Sequence, residues 1–162
     1  MERWACEYRY EKRLVRALII PTVLYGCETW TMTKKMRKKI NACEMWIWRK
    51  MLRISWMEKR ANEWVRIDIG IENNDSLQQT VLTRKLGFFG HVMRSNGLEK
   101  DMMLAYEEGR RKQGRPRKRW LDEVQETTGM NLEQLREATS ERKQWRRLIM
   151  TIARVQRTGS TR

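Results

Sequence analysis

Apolar residues recur along most of this chain at steps of three and four, the spacing that lines them up on one side of an α-helix. The clearest case runs from Lys34 to Ile54, with Met36, Ile40, Cys43, Ile47, Met51 and Ile54 in one stripe. Lys35, Lys38, Lys39, Arg49, Lys50 and Arg53 fall mostly off that stripe, and Trp46 and Trp48 widen it enough to predict packing on two sides. Residues 7–20 repeat the pattern with Leu14, Ala17, Leu18 and Ile20, and Pro21 should end or kink that helix. Residues 62–70 predict a short helix stopped by Gly70. Residues 77–94 predict a longer one, with Leu82, Leu86, Phe89 and Met93 aligned. A weaker helix is expected over 99–107.

The last third of the chain continues the period. Pro116 is suited to open a helix that carries Trp120, Leu121 and Val124 inward and stops at Gly129. Asn131 with Gln134 reads as a capping box for a helix to about Ala138. Ser140 is expected to cap a final helix with Trp145, Leu148, Ile149 and Ile152 on one face. No alternating pattern of strand type stands out. The expectation is an all-α protein of about six to eight helices, in one loose domain or in two small helical units joined near residues 95–115.

Single residues inside these stripes sharpen the expectation. Trp46, Trp48, Trp120 and Trp145 sit at apolar helical positions and read as core, whereas Trp30 and Trp56 are less constrained. His91, in the apolar segment FFGHV, reads as a packed histidine and not as a catalytic base. Gly87 and Gly90 each cost a helix roughly 1 kcal/mol relative to Ala and suggest close packing or a kink.

Charge changes the picture. The 162 residues carry 35 Lys and Arg against 20 Asp and Glu, a net charge of +15. The excess is split: residues 1–60 and 109–162 each carry 15 basic and 6 acidic side chains, while 61–108 carry 5 and 8. Two basic ends around a mildly acidic middle point to a polyanionic partner. The densest run is Gly109 to Trp120, GRRKQGRPRKRW, broken by Gly and Pro and without a periodic apolar residue before Trp120. A flexible segment of this kind lets Arg110, Arg111, Lys112, Arg115, Arg117, Lys118 and Arg119 reach successive phosphates. It also suits an extended hook in a narrow minor groove, a nuclear import signal, or a plain solvated loop. Lys34, Lys35, Lys38 and Lys39 form a second basic patch at the start of a helix, where the positive end of the dipole makes lysine unfavourable without a ligand.

Other chemistries are poorly served. Gly109 and Gly114 have the spacing of a P-loop, but Arg115 and Pro116 stand where Lys and a hydroxyl are needed. Cys6, Cys27, Cys43 and His91 are too few and badly spaced for a structural zinc site or a disulfide framework. Asp68, Asp75, Asp101 and Asp122 are scattered, whereas polymerase and nuclease chemistry needs clustered carboxylates around metal ions. The longest mostly apolar run, residues 17–25, is too short to span a bilayer. A soluble, intracellular protein is expected, with no membrane and no small-molecule substrate.

Four segments together carry a resemblance. They are Leu24-Tyr25-Gly26-Cys27-Glu28-Thr29-Trp30, the run from Glu44 through Trp46, Trp48 and Ile54 to Trp56, Phe88-Phe89-Gly90-His91-Val92-Met93-Arg94, and Gly114-Arg115-Pro116 followed by Trp120-Leu121-Asp122. In this order and spacing they resemble the C-terminal region of non-LTR retrotransposon proteins, the LINE-like endonuclease–reverse transcriptases of the RTE type. The resemblance runs from about Lys12 to Ile149. Trp64, Arg66 and Gly87 depart from the family pattern.

The resemblance implies a chain that lies after the polymerase palm. Residues 1–94 would be a thumb-like helical region, 95–115 a linker with the basic tract, and 116–157 a C-terminal helical unit. The endonuclease domain and the Mg²⁺-binding aspartates of the palm would lie elsewhere in the parent RNA-directed DNA polymerase. This chain is then expected to be no enzyme by itself, to hold no cofactor, and to work in the nucleus by gripping RNA or DNA. The alternatives are an inert genomic remnant and a helical protein-interaction module whose basic tract is an import signal.

Overall fold

A computed structural model describes residues 8–70, 76–104 and 118–158. Every regular element among them is helical. Helix α1 spans Arg9–Leu14, continues through a π-helical turn at Val15–Ile19, and leads into α2 at Ile20–Val23. Then come α3 (Lys34–Met51), α4 (Asn62–Ile69), α5 (Leu77–Arg94), α6 (Leu98–Leu104), α7 (Trp120–Thr128), α8 (Leu132–Ser140) and α9 (Arg142–Thr158). Short 3₁₀ turns occupy Cys27–Thr29 and Trp56–Glu58. The all-α expectation holds.

The chain folds as two compact units, residues 1–27 with 34–81, and residues 28–33 with 82–162. The units divide within α5, between Val81 and Leu82. The reason lies in what each part of α5 meets. In its first turn, the Leu77 amide donates to the Glu44 carboxylate of α3 at 3.2 Å, and Gln78 donates to the Arg37 carbonyl at 3.0 Å. Further along, Leu86, Phe89, Val92 and Met93 are buried with Val124, Leu135, Trp145 and Ile149. Residues 28–33 belong with these in the second unit.

In the first unit the core is Val15, Met45, Ile47, Trp48, Val65 and Ile69. Glu44 is buried there, bonded to Leu77 and 3.6 Å from the Arg66 guanidinium. Arg66 thus faces a buried carboxylate and has a structural use. Lys12 donates to the carbonyls of Ile69 and Gly70, closing the C-terminal end of α4. Gly70 takes the left-handed conformation, φ 62°, as its place after a helix requires.

The second unit holds the larger core. Phe89 lies between the rings of Trp120 and Trp145, with centroids at 6.1 and 5.9 Å. The Trp145 indole donates to the Leu86 carbonyl at 2.9 Å. That contact explains Gly90, where a Cβ would overlap the Trp145 ring. Gly87 is different: nothing lies within 4 Å of a Cβ placed there. Of the two glycines, one answers to close packing.

Smaller expectations shift. Ser140 does not cap the final helix; it is the last residue of α8, and its hydroxyl donates to the Glu137 carbonyl. His91 is exposed on α5 and is not packed. The helix expected from Pro116 begins at Trp120, where the Arg119 amide donates to the Asp122 carboxylate at 2.8 Å; Pro116 lies outside the described residues. Of the 99–107 helix, residues 98–104 are helical and 105–107 lie outside the described residues.

Candidate nucleic-acid interface

The second unit brings the motif residues together as a buried polar cluster. Lys85 and Glu123 form an ion pair, and both are almost wholly buried. The Lys85 ammonium also donates to the Trp30 carbonyl at 3.0 Å and lies 4.7 Å from the centre of the Trp120 ring. Glu123 accepts in addition from the Met32 amide at 3.0 Å. The Trp120 indole donates to the Glu28 carbonyl at 2.7 Å. Past the 3₁₀ turn the backbone is irregular, and these side chains satisfy the Glu28 and Trp30 carbonyls and the Met32 amide. The segments Cys27–Trp30 and Trp120–Asp122, which carry the resemblance, meet here through Trp120 and the neighbouring Glu123. Lys85, Glu123 and Met32 are buried, and Glu28, Trp30 and Trp120 half-buried.

Arg110, Arg111, Lys112, Arg115 and Arg117 lie outside the described residues. Lys118 is described and is paired with Glu126, so one of the seven expected phosphate contacts already has an acidic partner. Arg119 is exposed at the entrance to α7.

Lys34, Lys35, Lys38 and Lys39 are all exposed on the first turns of α3, in the first unit. At 100° per residue they cover an arc of about 140°. They form two like-charge pairs at i, i+4 spacing, 34 with 38 and 35 with 39. Each such pair costs an isolated helix about 0.2–0.5 kcal/mol, and the positive end of the helix dipole adds to the cost. The first turn of α3 carries no acidic residue. Among the described residues, none of the four lysines makes an ion pair. The helix therefore concentrates positive charge where its own stability argues against it.

Sequence reasoning missed two surfaces. Trp46, expected in the core, is 62% exposed. It lines an apolar groove of about 400 Å³ with Leu14, Leu18, Ile19 and Met51. Period alone could not place Trp46, because Trp48 two residues on is the one that turns inward. The other surface is the exposed side of α9, where Arg142, Lys143, Arg146, Arg147 and Arg154 stand. The apolar stripe of this helix was read from the sequence, but not the cations that share an exposed side.

No group of three or more His, Cys, Asp or Glu suited to a metal ion occurs among the described residues. No described helix is long and apolar enough to cross a membrane.

With this geometry in hand, one comparison is informative. The chain is similar to a transposon-derived protein. That relative, an uncharacterized transposon-derived protein of Caenorhabditis elegans, is 28% identical over 116 residues. The match covers 68% of this chain and 41% of the relative, so the chain spans about two fifths of the relative's length. No protein-family model and no solved structure matches the chain.

Proposed function

We propose that this chain is a transposon-related protein that binds nucleic acid through phosphate contacts and has no catalytic centre of its own. In the finer reading it is the post-palm part of a LINE-like, RTE-type endonuclease–reverse transcriptase. It would hold template RNA, primer duplex or target DNA in the nucleus, while Mg²⁺ and its aspartates belong to the palm of the parent protein. The observation that carries the reading is the lysine patch of α3, four exposed like charges at a helix N-terminus without a carboxylate in the first turn. A polyanion there relieves both the mutual repulsion and the dipole penalty. The net charge of +15 and the similarity to a transposon-derived protein support the same reading.

The test is a salt-dependent affinity titration on duplex DNA, single-stranded RNA and an RNA–DNA hybrid. Wild type is run beside two variants, one with Lys34, Lys35, Lys38 and Lys39 changed to Gln, the other with the seven basic residues of 110–119 changed to Gln. Wild type is expected to bind with a steep log-salt slope, and the lysine variant to lose about three units of it, close to one per phosphate released. The tract variant is expected to lose several. Weak and equal binding by all three proteins would sink the reading. The apolar groove beside Trp46 would then favour the rival, a helical protein-interaction module.

A further inference from the structure

We propose that one flank of α9 is a separate binding site for the phosphate backbone of a duplex nucleic acid. The inference rests on the nucleic-acid reading above and adds a site that reading does not contain. Along α9, Trp145, Ile149 and Ala153 are buried and Leu148 and Ile152 half-buried, so the apolar stripe is occupied by the core of the second unit. Around the rest of the helix the charges are not evenly spread. Taking 100° per residue, Arg146, Lys143, Arg154 and Arg147 follow one another over about 100° on one side of the stripe, and Arg142 stands at the helix start in line with Ile149 and Ala153. The opposite flank holds Gln144, Thr151 and Val155, which carry no charge. A helix that needed charge only for solubility has no reason to place four cations on one flank and none on the other.

The site has the features of a backbone reader. Lys143, Arg147 and Arg154 stand along one line with the exposed Met150 among them, covering about 16 Å of helix at 1.5 Å per residue. The sequence from Arg142 to Thr158 contains no Asp or Glu. Among the described residues, none of the five cations makes an ion pair.

Two features choose the partner. Single strands are held largely by stacking bases on aromatic rings, and the aromatic residue of this helix, Trp145, is buried with its indole bonded to Leu86. A basic amphipathic helix that lies on a membrane inserts its apolar face, and here that face is already covered. A regular array of phosphates read by charge alone fits what remains, and a duplex supplies it.

The experiment uses the full chain with Arg142, Lys143, Arg146, Arg147 and Arg154 all changed to Gln, which keeps helix propensity. Circular dichroism and thermal melting establish that it folds. Binding is measured by fluorescence anisotropy against duplex DNA and single-stranded RNA of equal length, and by sedimentation with phosphatidylserine vesicles. The five-fold variant is expected to lose at least about tenfold in duplex affinity near 0.1 M salt and about four units of log-salt slope. Its loss on single strands should be smaller. Adding Gln144→Arg and Thr151→Arg to it restores part of the net charge on the neutral flank, and duplex binding should stay low. If the five-fold variant does not fold, Arg147→Glu alone is expected to weaken duplex binding several-fold with the fold intact.

Unchanged duplex affinity in the five-fold variant overturns the site, as does rescue by the neutral-flank arginines, which would mean net charge alone. A larger loss on single strands overturns it too, and so does an equal loss on vesicles. Duplex binding that falls in the α3 lysine variant but not here leaves the proposed function standing and removes α9 from it. A wild type that binds no nucleic acid removes both.

Discussion

Lys85 and Glu123 illustrate what a single residue is asked to do in this molecule. Each is buried, each carries a charge, and between them they satisfy the Trp30 carbonyl and the Met32 amide. Removing one member strands the other, and such a loss costs about 3–5 kcal/mol. Lys85→Met is therefore expected to lower unfolding stability by that amount in urea titration. The double variant Lys85→Met with Glu123→Gln should lose less than the two single losses added, because Gln still accepts from Met32 and no unpaired charge remains. Gly90 and Gly87 supply a second contrast on one helix. Gly90→Ala drives a methyl into the Trp145 indole and should cost about 1–3 kcal/mol. Gly87→Ala enters open space and should leave stability unchanged or raise it by up to about 1 kcal/mol, as differential scanning calorimetry would show. Close packing was legible in the sequence for the two glycines together, but not which of them it concerned, since they look alike until Trp145 arrives from 55 residues further on. Lys85 likewise reads as one more surface charge until Glu123 is placed beside it.

At the scale of the element, local signals carried far. Gly70 and Gly129 stop their helices in the left-handed conformation, with φ of 62° and 69°, where the sequence put the stops. Asn131 and Gln134 form the reciprocal capping box that their spacing announces, at 2.9 and 3.0 Å. Asn131→Ala should accordingly cost about 1 kcal/mol in chemical denaturation, by loosening the start of α8. The region around Pro21 was only half legible. A proline inside a helix lacks an N–H and its ring presses on the carbonyl four residues back, here that of Ala17. The chain responds by widening the preceding turn into a π-helix at Val15–Ile19, so the helical path continues through Pro21 to Val23. Thr22 adds a side-chain bond to the Leu18 carbonyl at 2.8 Å. Stripe analysis also misjudged α3, where a broad apolar face was read as two packed sides. Trp48 goes into the core and Trp46 lines an open groove, a difference that 200° of helix rotation decides and composition does not.

For the molecule as a whole, the helical class was legible from period, whereas the partition into units rests on contacts that period does not show. It depends on six residues, 28–33, that leave their sequence neighbours to join a later part of the chain. If the charged faces bind as proposed, saturating duplex DNA should raise the melting temperature by roughly 5–10 °C at low salt, and the gain should vanish as salt approaches about 0.5 M. A melting temperature indifferent to DNA at any salt would count against every nucleic-acid site argued above. The excursion of residues 28–33 also bears on how the chain is made. Met32 is synthesised 91 residues before the Glu123 carboxylate that receives its amide. While a ribosome is still working between them, Lys85 has left the tunnel or is leaving it without its counter-charge. The second unit must then stay open until α7 emerges, and a message cut short before residue 123 yields a product whose second half has no way to close.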